Sequence, residues 1–157
     1  MTTTTKRFAL LAAQALIVTS LGAKLLIDRA WQPRAWVKTM PVDPNAPIRG
    51  RYLSMRIEVD AALDLAGRDV SLRVQDGRLT AVRSGAPTGL RLRTDRRDPR
   101  AALQLERPLA FFLPEHAADP SRRGTGEELW MEVTVPERGA PRPIRLGIKK
   151  DGTLMPL

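Results

Sequence analysis

The longest apolar stretch of the chain is residues 8–27, which read FALLAAQALIVTSLGAKLLI. At about 1.5 Å per residue, a helix of this length spans roughly 30 Å, the thickness of the hydrocarbon layer of a bilayer. Its apolar residues surround the whole circumference, which favours a membrane span over a buried helix of a soluble protein. We therefore predict a transmembrane helix over residues 8–27, preceded by a cytoplasmic tail over residues 1–7.

Three residues near or beyond the end of this span have the chemistry of the membrane interface. Lys24 lies near the far end of the span, where its aliphatic stem can stay in the apolar layer while the ammonium group reaches the headgroups. Trp31 and Trp36 follow it, and indole rings prefer the headgroup level. We predict that these three residues lie at the membrane interface.

The same segment also has features of a cleavable signal peptide, which is the alternative to a retained anchor. Lys6 and Arg7 form a basic region before the apolar stretch, and small residues occur within Ser20–Ala23. The length of the span and its apolar continuation to Ile27 favour retention. Cleavage would instead release a periplasmic protein.

The basic residues on the two sides of the span do not by themselves give the expected orientation. Arg29, Arg34 and Lys38 after the span outnumber Lys6 and Arg7 before it. Long domains, however, cross the membrane largely regardless of flanking charge, and a short basic tail is typical of a signal anchor. We predict a single-pass protein of the cytoplasmic (inner) membrane, with its C-terminal domain outside the cytoplasm.

The residues that follow the span are rich in proline. Pro33, Pro41, Pro44 and Pro47 each lack a backbone donor and disfavour a helix at the preceding residue. We predict an extended, proline-rich stalk over residues 28–48.

From residue 49 onwards the apolar positions follow a period of two, which is typical of half-buried strands. Leu53, Met55, Ile57 and Val59 alternate with polar residues, and similar alternation recurs at 70–81, 90–93, 103–105, 131–135 and 144–148. Asp-Gly pairs at 76–77 and 151–152 indicate two tight hairpins. The pattern predicts a mainly β protein, in which residues 49–157 form a small antiparallel β-sandwich or open barrel.

The composition narrows the range of partners and sites. The chain has 26 Lys and Arg against 17 Asp and Glu, a formal charge of +9, which favours contact with anionic surfaces. It has no cysteine and one histidine, so a disulfide framework and a thiolate metal site are excluded and a zinc site is hard to build. We expect neither a metal ion nor a cofactor.

Several basic residues occupy strand positions that alternate with the predicted core. We expect them to form a basic surface for an anionic lipid, a glycan or an acidic loop, and the alternative is a solvated face. The predicted compartment and the lack of interleaved aromatic residues argue against nucleic acid. The residues of this predicted surface are Arg56, Arg73, Arg91, Arg93, Arg145 and Lys149.

Two short motifs contain residue types that occur in catalytic sites. Ser54-Met55 with Lys149 or Lys150 is similar to the serine and lysine pair of a Ser/Lys hydrolase, but Ile57 stands where a proline is expected. The adjacent Glu115 and His116 would need further ligands or acids from elsewhere in the fold. We predict no catalytic residue and no enzymatic activity.

The segment VDPNAPIRGRYLSMRI, residues 42–57, resembles the motif that gives the GDYXXLXY family of membrane-anchored proteins its name. Asp43-Pro44, Gly50 and Tyr52 match it. Arg51 stands where the motif has Asp, Met55 where it has Leu and Ile57 where it has the last Tyr. The loss of the Asp puts in doubt any role that needs a carboxylate at that position.

Two later segments extend this resemblance over nearly the whole chain. Pro114-Glu115 ends an aromatic and apolar run, a Gly-rich acidic stretch follows it, and the terminal IRLGIKKDGTLMPL is similar to the closing strand, turn and strand of the family. The resemblance implies one membrane span, an extracytoplasmic β-domain, and a polytopic integral membrane protein as partner. In it, Asp43, Pro44, Gly50, Tyr52, Pro114 and Glu115 are the candidate recognition residues, with turn and packing roles as the alternative.

These observations favour a non-enzymatic, membrane-anchored interaction module that acts with an integral membrane partner or with the envelope surface. The alternative is a processed periplasmic protein that binds an anionic ligand through a basic face of its β-sheet. The fate of the N-terminal segment distinguishes the two.

Overall fold

The computed structural model of the chain describes residues 3–42, 52–95, 102–113, 120 and 124–157. The chain divides into two compact units, Met1–Gln32 and Pro33–Leu157. The first contains the helix α1 (Thr3–Trp31). The described residues of the second form a short 3₁₀ helix, Leu63–Leu65, and ten strands. The strands are β1 (Arg34–Pro41), β2 (Tyr52–Val59), β3 (Val70–Gln75), β4 (Arg78–Arg83), β5 (Leu92–Arg93), β6 (Leu103–Leu105), β7 (Leu109–Phe112), β8 (Glu128–Thr134), β9 (Arg142–Lys150) and β10 (Thr153–Pro156).

The helix α1 contains an apolar segment, Arg7–Ile27, that is long enough to cross a membrane. All side chains of this segment are exposed within the chain. Its hydroxyl groups are satisfied locally, since Thr19 Oγ1 donates to the carbonyl of Ala15 at 2.7 Å and Ser20 Oγ donates to that of Ile17 at 2.9 Å. The helix continues to Trp31, so the prediction that the stalk begins at residue 28 is wrong.

Eight strands of the second unit form one sheet, in the order β10-β9-β8-β1-β2-β6-β5, and β7 pairs with the first half of β2. All of these strand pairs are antiparallel. Within the described part of the chain no pairing joins β10 to β7 or β5, so this large sheet is open. The prediction of a mainly β protein with antiparallel sheets behind one apolar helix is confirmed.

Strand β1 lies in the middle of the large sheet, where the proline pattern predicted a stalk. Residues Arg34–Lys38 pair with β8 and residues Thr39–Pro41 pair with β2. Ala35, Val37 and Thr39 are buried, and Thr39 Oγ1 donates to the carbonyl of Arg56 at 2.9 Å. The stalk prediction is therefore wrong over residues 34–41. Residues 43–48 of the predicted stalk lie outside the described residues. The β unit begins at Pro33 and not at residue 49.

The two Asp-Gly pairs form the tight hairpin turns that the sequence predicted. Asp76 and Gly77 have φ values of 50° and 74°, and Asp151 and Gly152 have φ values of 49° and 81°. Two successive residues with positive φ match the right-handed twist of the flanking strands, and Asp-Gly is a preferred pair at these positions. The first turn joins β3 to β4 and the second joins β9 to β10.

The hairpin β3-β4 is a separate two-stranded sheet that completes the core. Val70, Leu72, Leu79 and Ala81 are buried in the same apolar cluster as the inward residues of the large sheet. The end of β2 is tied to β4, since the N–H of Asp60 donates to the carbonyl of Leu79 at 2.9 Å and its own carbonyl accepts from the N–H of Ala81 at 2.9 Å. The core therefore lies between two antiparallel layers.

Candidate functional site

The face of the large sheet that points away from the core carries tryptophans and charged residues. Burial alternates along β1 and β2, so that every second residue points to this outer face. The charged residues of this face are basic on β1 and β9 and acidic on β8, and they lie around two indole rings. We call this part of the sheet the tryptophan face. Its residues are Trp36, Lys38, Glu128, Trp130, Glu132, Arg145 and Lys149.

The indole of Trp36 lies over Gly147 of β9. A Cβ atom on Gly147 would lie 3.0 Å from Cζ3 of Trp36 and 3.0 Å from the carbonyl oxygen of Met155, so the ring and the neighbouring backbone leave no space for a side chain. The guanidinium carbon of Arg145 lies 5.4 Å from the ring centroid. Trp36 is thus packed within the β unit, and the prediction that it anchors the chain at the membrane interface is not supported by this position.

Trp130 is held by contacts on the same face. Its Nε1 donates to Oε2 of Glu128 at 3.1 Å, and the ammonium group of Lys149 lies 4.6 Å from the ring centroid. Lys38 Nζ donates to Oε1 of the same Glu128 carboxylate at 2.6 Å. The bonds from Lys38 and Trp130 lower the pKa of Glu128 below its usual value, because both stabilise the charged form.

Glu132 provides the second acidic centre of the tryptophan face. It is only 7% exposed, and Arg145 Nε donates to its carboxylate at 2.7 Å. Arg34 lies 3.9 Å from the other carboxylate oxygen. A carboxylate this buried requires compensating cations, since an unpaired buried charge is strongly destabilising. Arg145 therefore neutralises an acid of the sheet and also covers an indole.

The six predicted basic residues do not form one surface. Arg145 and Lys149 lie on the tryptophan face, and Arg73 lies on the separate hairpin β3-β4. Arg91 and Arg93 lie on or beside β5, at the opposite end of the large sheet from β9. The basic side chains are thus divided among three places, and acidic residues lie between those of the tryptophan face.

Arg56 of β2 lies near the β5 group. Burial and the like charge of Arg93 lower the pKa of Arg56, and Asp95 partly opposes this change. Its Nε is buried and has no hydrogen-bond partner among the residues that the structure describes.

A cleft opens where β1 and β2 separate. Their ladder covers only Thr39–Pro41 and Met55–Ile57, and beyond it β1 pairs with β8 whereas β2 pairs with β6. The resulting opening, which we call the fork cleft, has a volume of about 360 Å³, and Leu79 of β4 contributes to its lining. Its other side chains with aromatic or charged groups are Trp36, Lys38, Glu58, Asp60, Arg78 and Trp130.

Glu58 is the half-buried acid of the fork cleft. Burial raises its pKa above the usual value, and the charges of Glu128 and Asp95 act in the same direction, whereas Lys38 acts against them. Among the described residues, no hydrogen bond or ion pair engages its carboxylate. The acid is thus partly removed from water without a donor from the described part of the chain.

Tyr52, from the motif at residues 42–57, forms an exposed aromatic pair with Phe112. Tyr52 and Phe112 face each other across β2 and β7, with ring centroids 5.4 Å apart at an interplanar angle of 64°. They are 59% and 52% exposed. The other predicted recognition residues, Asp43, Pro44, Gly50, Pro114 and Glu115, lie outside the described residues.

The two remaining predicted interface residues lie on α1. Lys24 is exposed within the apolar segment, and Trp31 is the last residue of the helix and is 85% exposed. Within the described residues there is no group of three or more His, Cys, Asp or Glu side chains that could hold a metal ion.

The fork cleft has no signature in the local pattern of the sequence. Glu58 is only a polar position in the alternation that predicts β2, and no local motif marks Trp130 or Arg78. Outward alternation gives the direction of such a side chain, but the separation of β1 and β2 depends on long-range pairing. No local pattern could have shown that these residues share a cleft.

Comparisons with known proteins give one match. A family model described as "GDYXXLXY protein" matches residues 14–146, which run from within α1 to β9. No curated protein and no solved structure gives a significant match.

Glu58 is expected to destabilise the folded chain at neutral pH. Because its folded pKa is raised above the usual value of 4.5, the folded chain binds the proton more tightly than the unfolded chain, and stability falls as the pH rises above 4.5 through this interval. Glu58→Gln should therefore raise the Tm at pH 7, with less effect at pH 4. The matched control is Glu106→Gln, which removes an exposed carboxylate. Thermal unfolding of the full chain in which E58Q has a lower Tm than E106Q at pH 7 would contradict this assignment.

Proposed function

The chain belongs to the GDYXXLXY family, and we propose that it is a non-enzymatic interaction module anchored in a bacterial cytoplasmic membrane. In this proposal, α1 spans the membrane, the N-terminal tail is cytoplasmic, and the β unit lies outside the cytoplasm and binds an integral membrane partner. The observation that carries the proposal is the apolar segment Arg7–Ile27, whose side chains no described residue covers.

The exposed apolar helix supports an anchor on energetic grounds. Leu16 and Val18 are 71% and 70% exposed, and similar exposure continues along the segment. Leaving so many large apolar side chains in water is unfavourable by about 25 cal/mol for each Å² of apolar surface. A bilayer removes this surface from water without any further protein contact, and the segment has the length that a bilayer requires.

The connection between α1 and β1 is short, which supports a partner within the membrane. Only Gln32 and Pro33 separate the last residue of α1 from the first residue of β1. Two extended residues reach about 7 Å, so an anchored chain would keep the start of β1 close to the end of its helix. A β unit held on so short a connection is within reach of the extracytoplasmic loops of a polytopic protein.

The aromatic pair Tyr52 and Phe112 is the contact surface that we propose for this partner. Aromatic residues and arginine are enriched at the centres of protein interfaces, because they bury large areas and still offer polar or charged groups. Arg56 points to the same face of β2 as Tyr52, and its Nε has no partner among the described residues. An apolar loop that carries an acidic residue would complement both features.

Two contacts support the non-enzymatic part of the proposal. Lys149 lies over the ring of Trp130, and Lys150 Nζ donates to Glu127 at 3.4 Å. Each of the two candidate bases for Ser54, Lys149 and Lys150, therefore has a partner of its own. Ser54 is an exposed residue of β2, opposite Ala110 of β7.

The anchor and its orientation can be tested on the chain recovered from cell membranes. We expect an intact mass that includes residues 1–31, and digestion of a C-terminal tag by protease added to spheroplasts. A mass that begins near Ala23 or Lys24 would favour the alternative, a processed periplasmic protein that binds an anionic ligand. Protection of the tag in spheroplasts, with digestion after lysis, would contradict the proposed orientation.

The partner surface can be tested by photo-cross-linking in intact cells. With benzoylphenylalanine in place of Phe112, we expect an adduct to an integral membrane protein, and Tyr52→Ala should reduce its yield several-fold. The control places the same group at Leu63, which is 59% exposed and lies in the 3₁₀ helix. Equal adducts from both positions, or adducts to soluble proteins only, would contradict the proposed surface.

A further inference from the structure

We propose that the fork cleft binds a neutral saccharide, with one pyranose ring placed between the indoles of Trp36 and Trp130 and the carboxylates of Glu58 and Asp60. This site is distinct from the aromatic pair of Tyr52 and Phe112. It lies within the β unit, so the inference does not depend on the proposed anchor or its partner.

The dimensions of the cleft suit a small ligand. Its volume of about 360 Å³ is at the lower end of the range of about 300–1,000 Å³ that ligand pockets occupy. Its accessible lining combines two indoles with the charged side chains of Lys38, Glu58, Asp60 and Arg78. The aliphatic residues Val37, Val59 and Leu79 also border the cleft but are at most 3% exposed, so they contribute little contact surface.

The indoles provide the apolar side of the site. The C–H bonds on one face of a pyranose ring carry small positive charges, and they pack favourably on the negative face of an aromatic ring. Trp36 is fixed over Gly147 with Arg145 above its ring, and Trp130 is fixed by its bond to Glu128 and by Lys149, so a sugar would contact the part of each indole that these groups leave open to the cleft. Rings that are already held in place lose little conformational freedom when a ligand binds.

Glu58 provides the main polar contact. A half-buried carboxylate without a donor is unfavourable, and the ordinary remedy is a hydrogen bond from a hydroxyl, an amide or water. Sugar hydroxyls supply such donors at several positions around one ring. Asp60 lies at the end of the same strand and also lines the cleft, so two carboxylates are available as acceptors for neighbouring hydroxyls.

The balance of charge favours a neutral ligand over an ionic one. Glu58 and Asp60 are matched in number by Lys38 and Arg78 in the lining of the cleft. Arg78 lies 4.0 Å from the carboxylate of Asp60, and Lys38 is bonded to Glu128. A phosphate would be repelled by the two acids, and an ammonium ligand would be repelled by the two cations. A polyol can donate hydrogen bonds to the acids and accept them from the cations.

The test uses the full chain in a detergent that has no sugar headgroup, titrated with three probes. These are chitotetraose, cellotetraose and maltotetraose, and the readouts are tryptophan fluorescence and isothermal titration calorimetry. We expect saturable binding of at least one probe to one site per chain. Absence of saturable binding for all three probes, with a folded chain, would overturn the proposal.

Substitutions then locate the site. Glu58→Gln and Asp60→Asn keep the shape of each side chain and remove its charge, and we expect each to weaken binding about tenfold, since hydrogen bonds to charged groups are the stronger ones. Arg78→Gln should also weaken binding, whereas Arg91→Gln is the matched arginine control outside the cleft and should change the Kd less than about twofold. Binding that survives E58Q and D60N within twofold would place the sugar elsewhere and overturn the assignment.

Discussion

The β unit depends on strand β1, because this one strand connects the two halves of the large sheet. Its first five residues pair with β8 and its last three pair with β2. Without it, no backbone hydrogen bond between described residues would join β8, β9 and β10 to the strands on the other side. Its inward residues Ala35, Val37 and Thr39 are all at most 3% exposed, so the strand also contributes directly to the core. The strand that holds the sheet together therefore begins three residues after the helix ends.

The change of pairing partner along β1, from β8 to β2, also creates the candidate binding site. An antiparallel ladder that ends before its strands end leaves a gap, and here the gap is lined by Lys38 of β1 and Glu58 of β2 and is approached by β4. The outward residues Trp36 and Trp130 then meet charged neighbours on the same face. The joining of the two halves of the sheet and the candidate site thus both depend on how β1 pairs with β8 and then with β2. The charged residues of this face neutralise each other instead of forming a basic surface.

The sequence predicted those parts of the fold that local patterns determine. Alternation identified β2, and the Asp-Gly turns identified the hairpins β3-β4 and β9-β10. It failed for β1, because prolines at both ends suggested a stalk, and because the inward positions include the small Ala35 and the polar Thr39. Thr39 is accepted in the core only because its hydroxyl bonds to the carbonyl of Arg56. The fork cleft could not be predicted, since Glu58 and Trp130 are brought together by strand order, which no local pattern determines.

The role of β1 is tested most directly by moving the N-terminal boundary of the β unit. A chain of residues 33–157 retains β1, whereas a chain of residues 49–157 begins where the proline pattern predicted the domain to start. Urea denaturation followed by tryptophan fluorescence and circular dichroism should give one cooperative transition for residues 33–157. For residues 49–157, we expect no cooperative transition, because the two halves of the sheet lose their shared strand. A cooperative transition with a similar midpoint in both chains would contradict the central role of β1.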